Sequence, residues 1–447
     1  MEWLNLALAA LATAVGLLAA GHALIYKRRP QAALGWIAVS LMVPFVGALL
    51  YYLFGINRVQ ARARHLRGGT RTSTRAPVET EPEWSHGNDV TALHCGEAAY
   101  PAMLDAIRNA NRHVYLATYI FGTDGVGGEL IDALADAARR GVDVRVLIDG
   151  VGELYTWPRA GPALRKRGVR VATFLPPRLI PPTLSINLRN HRKILVADGE
   201  VGFTGGMNIA SRHLVADPAR RHRVVDLHFR LVGPVVAELE KVFAADWMFA
   251  TRESLPEHEP APAAGTASCR VVADGPDDTT DRLLCLLLRS IASAQRRVAI
   301  MTPYFLPSPE LIGVLQAAAL RGLAVDVVLP GENNLPYVHW ASRHMLWQLL
   351  APGVRVYYQP PPFVHTKLLL VDDRHAVIGS WNIDPRSLRL NFELAVEIRD
   401  RTLVASLGDH FEAARSRSTP VTLDDVDGRS LPVRLRDGAA WLLSPYL

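Results

Sequence analysis

Two stretches of the chain place a histidine, a lysine two residues on and an aspartate five further: His191, Lys193, Asp198 and His365, Lys367, Asp372. Imidazole can attack phosphorus or carry a proton near neutral pH, and a compact ammonium can neutralise a non-bridging phosphate oxygen. These residue types suit displacement on a phosphodiester. One such pattern arises by chance in roughly one in a hundred sequences of this composition, because the chain has only five lysines and uses arginine almost everywhere else. A lone copy would be read as ordinary polar residues at a strand end; a second in register is far rarer. The register extends to Gly205 and Asn208, which match Gly379 and Asn382. A divalent metal fits poorly, because each candidate histidine ligand has a cation two residues away that would repel the ion and itself neutralise phosphate. The chain has no Gly-x-Ser-x-Gly nucleophile elbow, which disfavours a serine hydrolase.

Strands and helices alternate around these residues, in the same order twice. The first half reads as helix from Tyr100 to Ala110, strand His113–Phe121, helix Glu129–Arg140 and strand Val142–Asp149. The second half repeats it as helix Asp281–Ala294, strand Arg297–Leu306, helix Pro309–Arg321 and strand Leu323–Leu329. Matching phrases (ARRGVDVRVLIDG and ALRGLAVDVVLPG) mark a duplication, so the fold class expected is α/β in two similar halves. Each His-x-Lys precedes an apolar run, Ile194–Ala197 or Leu368–Val371, and the spacing predicts both side chains on one face at the start of a buried strand. Pro-, Gly- and Ser-rich segments at 68–88 and 252–268 read as linkers. The domains expected are 1–57, a basic linker 58–88, a first half 89–251, a linker 252–268 and a second half 269–447.

The first 57 residues set the compartment. Trp3–Tyr26 contains no Asp, Glu, Lys or Arg over 24 positions, and a helix of that length rises about 36 Å, enough for a hydrocarbon core of roughly 30 Å. After Lys27, Arg28 and Arg29 a second uncharged run, Pro30–Asn57, carries Leu41, Met42, Val43, Phe45, Val46, Leu49, Leu50, Leu53 and Phe54, so a transmembrane hairpin of two spans is expected. Arg58, Arg62, Arg64, Arg67, Arg71 and Arg75 outnumber the three cations of the turn, which places the N-terminus and the large body in the cytoplasm. A net charge of +6 favours an anionic partner without choosing between membrane and nucleic acid. Cys95, Cys269 and Cys285, an odd number without CxxC spacing, suggest neither a disulfide framework nor a zinc site.

The text around these residues resembles the phospholipase D superfamily and, within it, the bacterial cardiolipin synthases. The likeness is carried by the hairpin text RRPQAALGWIAVSLMVPFVGALLYYLFGINR, the first site RNHRKILVADGEVGFTGGMNIA, the phrase MTPYFLP, the second site HTKLLLVDDRHAVIGSWNIDPRSLRLNFE and the ending WLLSPYL. The segment Glu332 to Arg343 departs from it in being less acidic. The resemblance implies two pseudo-symmetric α/β halves with mixed sheets flanked by helices, sharing one site behind the hairpin. It implies a ping-pong transfer with His191 as nucleophile and His365 as acid and base. Lys193, Lys367, Asn208 and Asn382 would hold phosphate oxygens, and Asp226 and Glu393 would orient the imidazoles. Asp198 and Asp372 belong to the motif and are equally suited to bracing the strand. The reaction implied joins two phosphatidylglycerol molecules into cardiolipin and glycerol at the bacterial inner membrane, with no metal or organic cofactor. Hydrolysis by the same residues is the alternative, then a nuclease, against which stand the hairpin and the lack of a lysine-rich stripe with stacking aromatics; a non-enzymatic membrane scaffold comes last.

Overall fold

Strands such as Ile194–Ala197 and Leu368–Val371 are apolar at every position, the pattern of a sheet covered on both faces. The computed structural model describes residues 2–27, 30–52, 82–177, 188–220, 222–276 and 281–444, and divides into an N-terminal unit and a body. In the body, the first half supplies β1 (Ser85–His94), β2 (His113–Thr118), β3 (Asp143–Asp149), β4 (Arg170–Phe174), β5 (Arg189–Asn190), β6 (Ile194–Ala197), β7 (Val201–Gly205), β8 (Val224–Val225) and β9 (Leu227–Val232). The second supplies β10 (Ala267–Asp274), β11 (Arg297–Met301), β12 (Ala324–Pro330), β13 (Arg355–Gln359), β14 (Phe363–Val364), β15 (Leu368–Val371), β16 (His375–Gly379), β17 (Asn391–Arg399) and β18 (Thr419–Val421).

One mixed sheet runs β4-β3-β2-β6-β7-β9-β1 and continues through β10-β17-β16-β15-β11-β12-β13 to β18 at the far edge. The two series are the same order read outward from an antiparallel β1–β10 seam. In each half three strands, β2-β3-β4 and β11-β12-β13, pair in parallel, and the others of the series, β18 at the far edge included, pair antiparallel. Helices Val126–Arg139 and Pro309–Leu320 make the corresponding crossovers between parallel strands. Alternation along the strands feeds two layers: on β2, Tyr115 and Ala117 join a core shared by both halves under helices Val235–Thr251 and Arg401–Ser416, while Val114 and Leu116 face the first half's other helices. Strands 113–121 and 297–306 of the sequence reading stop at Thr118 and Met301, since the chain leaves the ladder to form the mouth of the site. β1 and β10 begin inside the two segments read as linkers.

The N-terminal unit corrects the hairpin in part. Glu2–Tyr26 is a single apolar helix long enough to cross a bilayer. The second run is two shorter helices, Pro30–Met42 and Pro44–Leu50, so only one helix of spanning length is present among the described residues. The cause is Pro44: it lacks an N–H and pushes the preceding residue out of the helical region, as seen at Val43 (φ −134°, ψ 72°). Helices 2–26 and 30–42 approach closely at Gly16, where a Cβ would lie 2.7 Å from the Ser40 carbonyl oxygen. Arg28, Arg29, Leu53, Phe54, the six arginines from Arg58 to Arg75 and the final Pro445-Tyr446-Leu447 lie outside the described residues.

Candidate active site

Each motif histidine is seated by the opposite half. β5, just before His191, pairs in parallel with the start of β17, Arg189 opposite Asn391 and Asn190 opposite Phe392. β14, just before His365, pairs in parallel with β8. The His191 N–H donates to the Phe392 carbonyl at 2.9 Å, and the His365 N–H to the Val225 carbonyl at 2.7 Å. The residues following those carbonyls are Glu393 and Asp226, so each imidazole meets the other half's carboxylate. His191 Nδ1 lies 3.1 Å from Glu393 and His365 Nδ1 lies 2.7 Å from Asp226. With Nδ1–H so engaged, Nε2 is the nitrogen available to phosphorus or to a proton.

The expected strand alternation is not what brings His and Lys together, because residues 191–193 and 365–367 precede β6 and β15 rather than lie in them. Lys193 Nζ instead donates to the His191 carbonyl at 2.6 Å, and Lys367 Nζ to the His365 carbonyl at 2.5 Å. Lys367 Nζ also stands over the His365 ring, 2.8 Å from Nδ1 and 3.1 Å from Nε2. Asn208 is buried beside the first motif, its side-chain oxygen accepting from the Ile120 N–H at 3.2 Å, and Asn382 is buried beside the second. His191, Lys193, His365, Lys367, Asp226 and Glu393 thus form one cluster, flanked by the two asparagines.

Asp198 and Asp372 are not part of it. They sit beyond the far ends of β6 and β15, four-residue strands about 13 Å long. Asp198 accepts the N–H groups of Asn111, Arg112 and His113, and Asp372 those of Gln295, Arg296 and Arg297. Both adopt a left-handed backbone, φ 54° and 52°. Burial would raise these carboxyls, but the backbone donors win and hold both below the ordinary range.

Burial governs the electrostatics of the cluster. It pushes Lys193 down to about 7 and Lys367 down to about 8, against the pull of Asp226 and Glu393. Burial and both lysines lower the two imidazoles; for His191 the Glu393 carboxylate pulls the other way, whereas His365, with His191 and Arg212 also against its charge, is held well below the ordinary range. Burial works to raise Glu393, yet His191, Lys193 and the Ser380 hydroxyl outweigh it and keep it ionised; for Asp226 burial prevails and the shift is upward. The two imidazoles repel each other's charge, so the pair holds one proton more readily than two.

Several residues with a part in this arrangement carried no sequence signal. Tyr119 sets its ring edge-on to His191, centroids 5.4 Å apart, and Tyr304 does the same to His365 at 6.2 Å. Arg192, between His191 and Lys193, pairs with Asp246 at 2.5 Å and donates to the Glu393 carbonyl at 3.0 Å, tying the two halves behind the site. Ser380 and Ser387 donate to Glu393. Only the repeat of Tyr at corresponding strand ends, TYIF and PYFL, could have pointed to the tyrosines.

Known proteins place this geometry. A family model described as "Cardiolipin synthase, PLD-like domain" matches residues 103–247 and 287–415, and one described as "Phospholipase_D-nuclease N-terminal" matches 14–55. The chain is 32% identical to cardiolipin synthase A of Pseudomonas entomophila, covering 97% of this chain and 96% of the relative. It is 30% identical to the major cardiolipin synthase of Bacillus subtilis, covering 94% and 95%. Among solved structures, a phosphatidylserine synthase from Haemophilus influenzae shares the fold with a TM-score of 0.60 at 15% identity, over 80% of this chain and 95% of that one.

Proposed function

We propose that this chain, which belongs to the phospholipase D-like cardiolipin synthase family, joins two phosphatidylglycerol molecules into cardiolipin and releases glycerol. Membership makes it a phosphatidyltransferase; the donor, the acceptor and the residue roles are the proposal. The observation that carries them is the crossed pairing of each imidazole with the other half's carboxylate, both beside a buried lysine.

In the first step the Nε2 lone pair of neutral His191 attacks phosphorus, the bond from phosphorus to the glycerol headgroup breaks, and protonated His365 gives its Nε2 proton to the departing oxygen. In the second, a headgroup hydroxyl of another phosphatidylglycerol gives its proton to His365 while its oxygen attacks phosphorus and the P–N bond breaks. His191 is taken as the nucleophile and His365 as acid and base from the family resemblance; each imidazole has its Nδ1 on a carboxylate, which directs Nε2 to the phosphate. Lys193, Lys367, Asn208 and Asn382 supply donors to the equatorial oxygens, where charge grows in the transition state. The apolar helix 2–26 supports a bilayer setting, and the excess of arginines from Arg58 to Arg75 over the cations of the turn supports a body on the cytoplasmic side of the inner membrane.

The test is product analysis. Full-length protein in vesicles with labelled phosphatidylglycerol should yield cardiolipin and glycerol in equal amounts. Phosphatidic acid without cardiolipin would show a hydrolase built on the same residues, and turnover of nucleic acid alone would exclude both.

A further inference from the structure

The exposed surface beside the first motif is unusual in one place. Past the end of β3, the short turn Gly152–Tyr155 and the residues just after it present Leu154, Tyr155 (67% exposed) and Trp157 (86% exposed) to the outside. These side chains are displayed by a backbone that is held. Val151 and Gly152 N–H groups donate to one Asp149 oxygen at 2.9 and 2.8 Å, the Thr156 hydroxyl donates to the Phe121 carbonyl at 3.0 Å, and the Thr123 hydroxyl to the Pro158 carbonyl at 3.0 Å. Leaving three large apolar groups in water on a pinned loop is costly unless something covers them.

The same loop is joined to the chemistry. The other Asp149 oxygen accepts the N–H of Asn190, the residue before His191, at 2.7 Å. The Tyr155 ring lies 6.0 Å from that of Tyr119, which is edge-on to His191. In the second half Tyr337, in the first turn of the helix Pro336–Met345 that follows the equivalent strand β12, is also exposed, and Asn334 just before that helix accepts from the Tyr304 hydroxyl at 2.9 Å. Pseudo-symmetry thus sets exposed aromatics on both sides of one mouth.

We infer that Leu154, Tyr155 and Trp157 form a docking rim that enters the headgroup layer of an anionic phospholipid bilayer and brings the mouth of the site onto the membrane surface. This rests on the lipid-transfer reading above. Two observations favour lipid over a protein partner. Tyr and Trp, apolar bodies with a polar tip, partition to the membrane interface. The neighbouring chain carries cations: Arg159 is exposed two residues past Trp157, Arg189 is half-buried just before the first motif, and Arg212 is exposed, a complement to anionic headgroups. The rim would let a two-chain lipid pass its phosphate to His191 without leaving the bilayer.

The full-length protein, with exposed Cys285 changed to Ser, can be labelled at Trp157→Cys with an environment-sensitive fluorophore and placed in phosphatidylglycerol–phosphatidylcholine vesicles. A control label at Asp136→Cys occupies an exposed site on the helix that leads into the opposite end of β3. The label at 157 is expected to be shielded from aqueous iodide relative to the control and quenched by brominated acyl chains. Equal iodide quenching at both sites overturns the inference; so does shielding without bromolipid quenching, which would mean that protein covers the rim. The double change Leu154→Ser and Trp157→Ser should lower transfer from vesicles about tenfold or more while leaving turnover of monomeric short-chain phosphatidylglycerol within about twofold; equal loss on both substrates also counts against docking. A shielded label with no cardiolipin formed would sink the synthase reading alone, and cardiolipin formed with a water-exposed label would sink the rim alone.

Discussion

The two imidazoles stand at pseudo-equivalent places in unlike company. Glu393, which holds His191, also accepts from Ser380, from Ser387 at 2.7 Å and from Asn391 at 3.0 Å. Asp226, which holds His365, is one carbon shorter and, among the described residues, otherwise accepts only the Leu227 N–H at 2.8 Å. Where the second half has Ser380 the first has Gly206, and a Cβ there would stand 2.4 Å from the Asp226 carboxylate. His213, five residues past Asn208 as Ser387 is past Asn382, is buried with neither ring nitrogen partnered among the described residues, and burial pushes it down to about 3. Duplication has therefore kept the backbone that places atoms and let the halves diverge in what sets charge. On the proposed roles, a firmly ionised partner suits the imidazole that would carry the phosphoryl group, and a carboxylate pushed toward its neutral form suits the one that would give a proton away.

The largest expected effects separate the two histidines. His191→Ala should abolish transfer and any covalent lipid adduct. His365→Ala should cut turnover by about 10²–10⁴-fold yet still form the adduct slowly, as intact-protein mass spectrometry can show. Next come the carboxylates. Glu393→Gln should cost more than Asp226→Asn, because the new amide N–H₂ meets the donors Ser387 and Asn391; a loss of about 10²-fold or more, with about 1–3 kcal/mol of stability, is expected from steady-state rates and urea unfolding. Equal losses would show the asymmetry to be unimportant.

A smaller effect lies in pH. Lysine charge is lost as pH rises through its pKa, and burial brings Lys193 and Lys367 to about 7 and about 8 from 10.5. The value of kcat/KM should therefore decline between pH 7 and 9 rather than near 10.5, since this ratio reports the free enzyme. In Lys193→Arg that decline should be shallower, although the variant is slower throughout. The smallest change in rate is expected for Asp198→Ala and Asp372→Ala, which orphan backbone N–H groups far from phosphorus: about 2–4 kcal/mol of stability lost, with kcat/KM of the folded protein within about threefold.

The sequence made the cluster legible wherever it repeated. His191, Lys193, Asn208 and their partners in the second half share spacings, and the helix and strand order appeared twice in text. The exchange of carboxylates did not show, because Glu393 and Asp226 lie downstream of the motif in their own half while parallel pairing of β5 with β17 and β8 with β14 is a contact between halves. The same pairing explains why Phe392 matters twice. Its buried ring packs on Phe174 at 5.0 Å and its carbonyl seats His191, so removal of the ring costs about 3–5 kcal/mol and loosens His191. In the N-terminal unit, hydropathy found the apolar runs, but it is blind to a missing N–H, and Pro44 broke the second.

The division of labour between the halves can be read at one atom. Full-length His365→Ala protein, incubated with phosphatidylglycerol, quenched under alkaline denaturing conditions and digested, should carry a phosphatidyl group on the peptide containing His191 and none when His191 is also replaced. An adduct on the His365 peptide of His191→Ala protein, with none on His191 in the reciprocal variant, would contradict that division and reverse the roles of the two histidines.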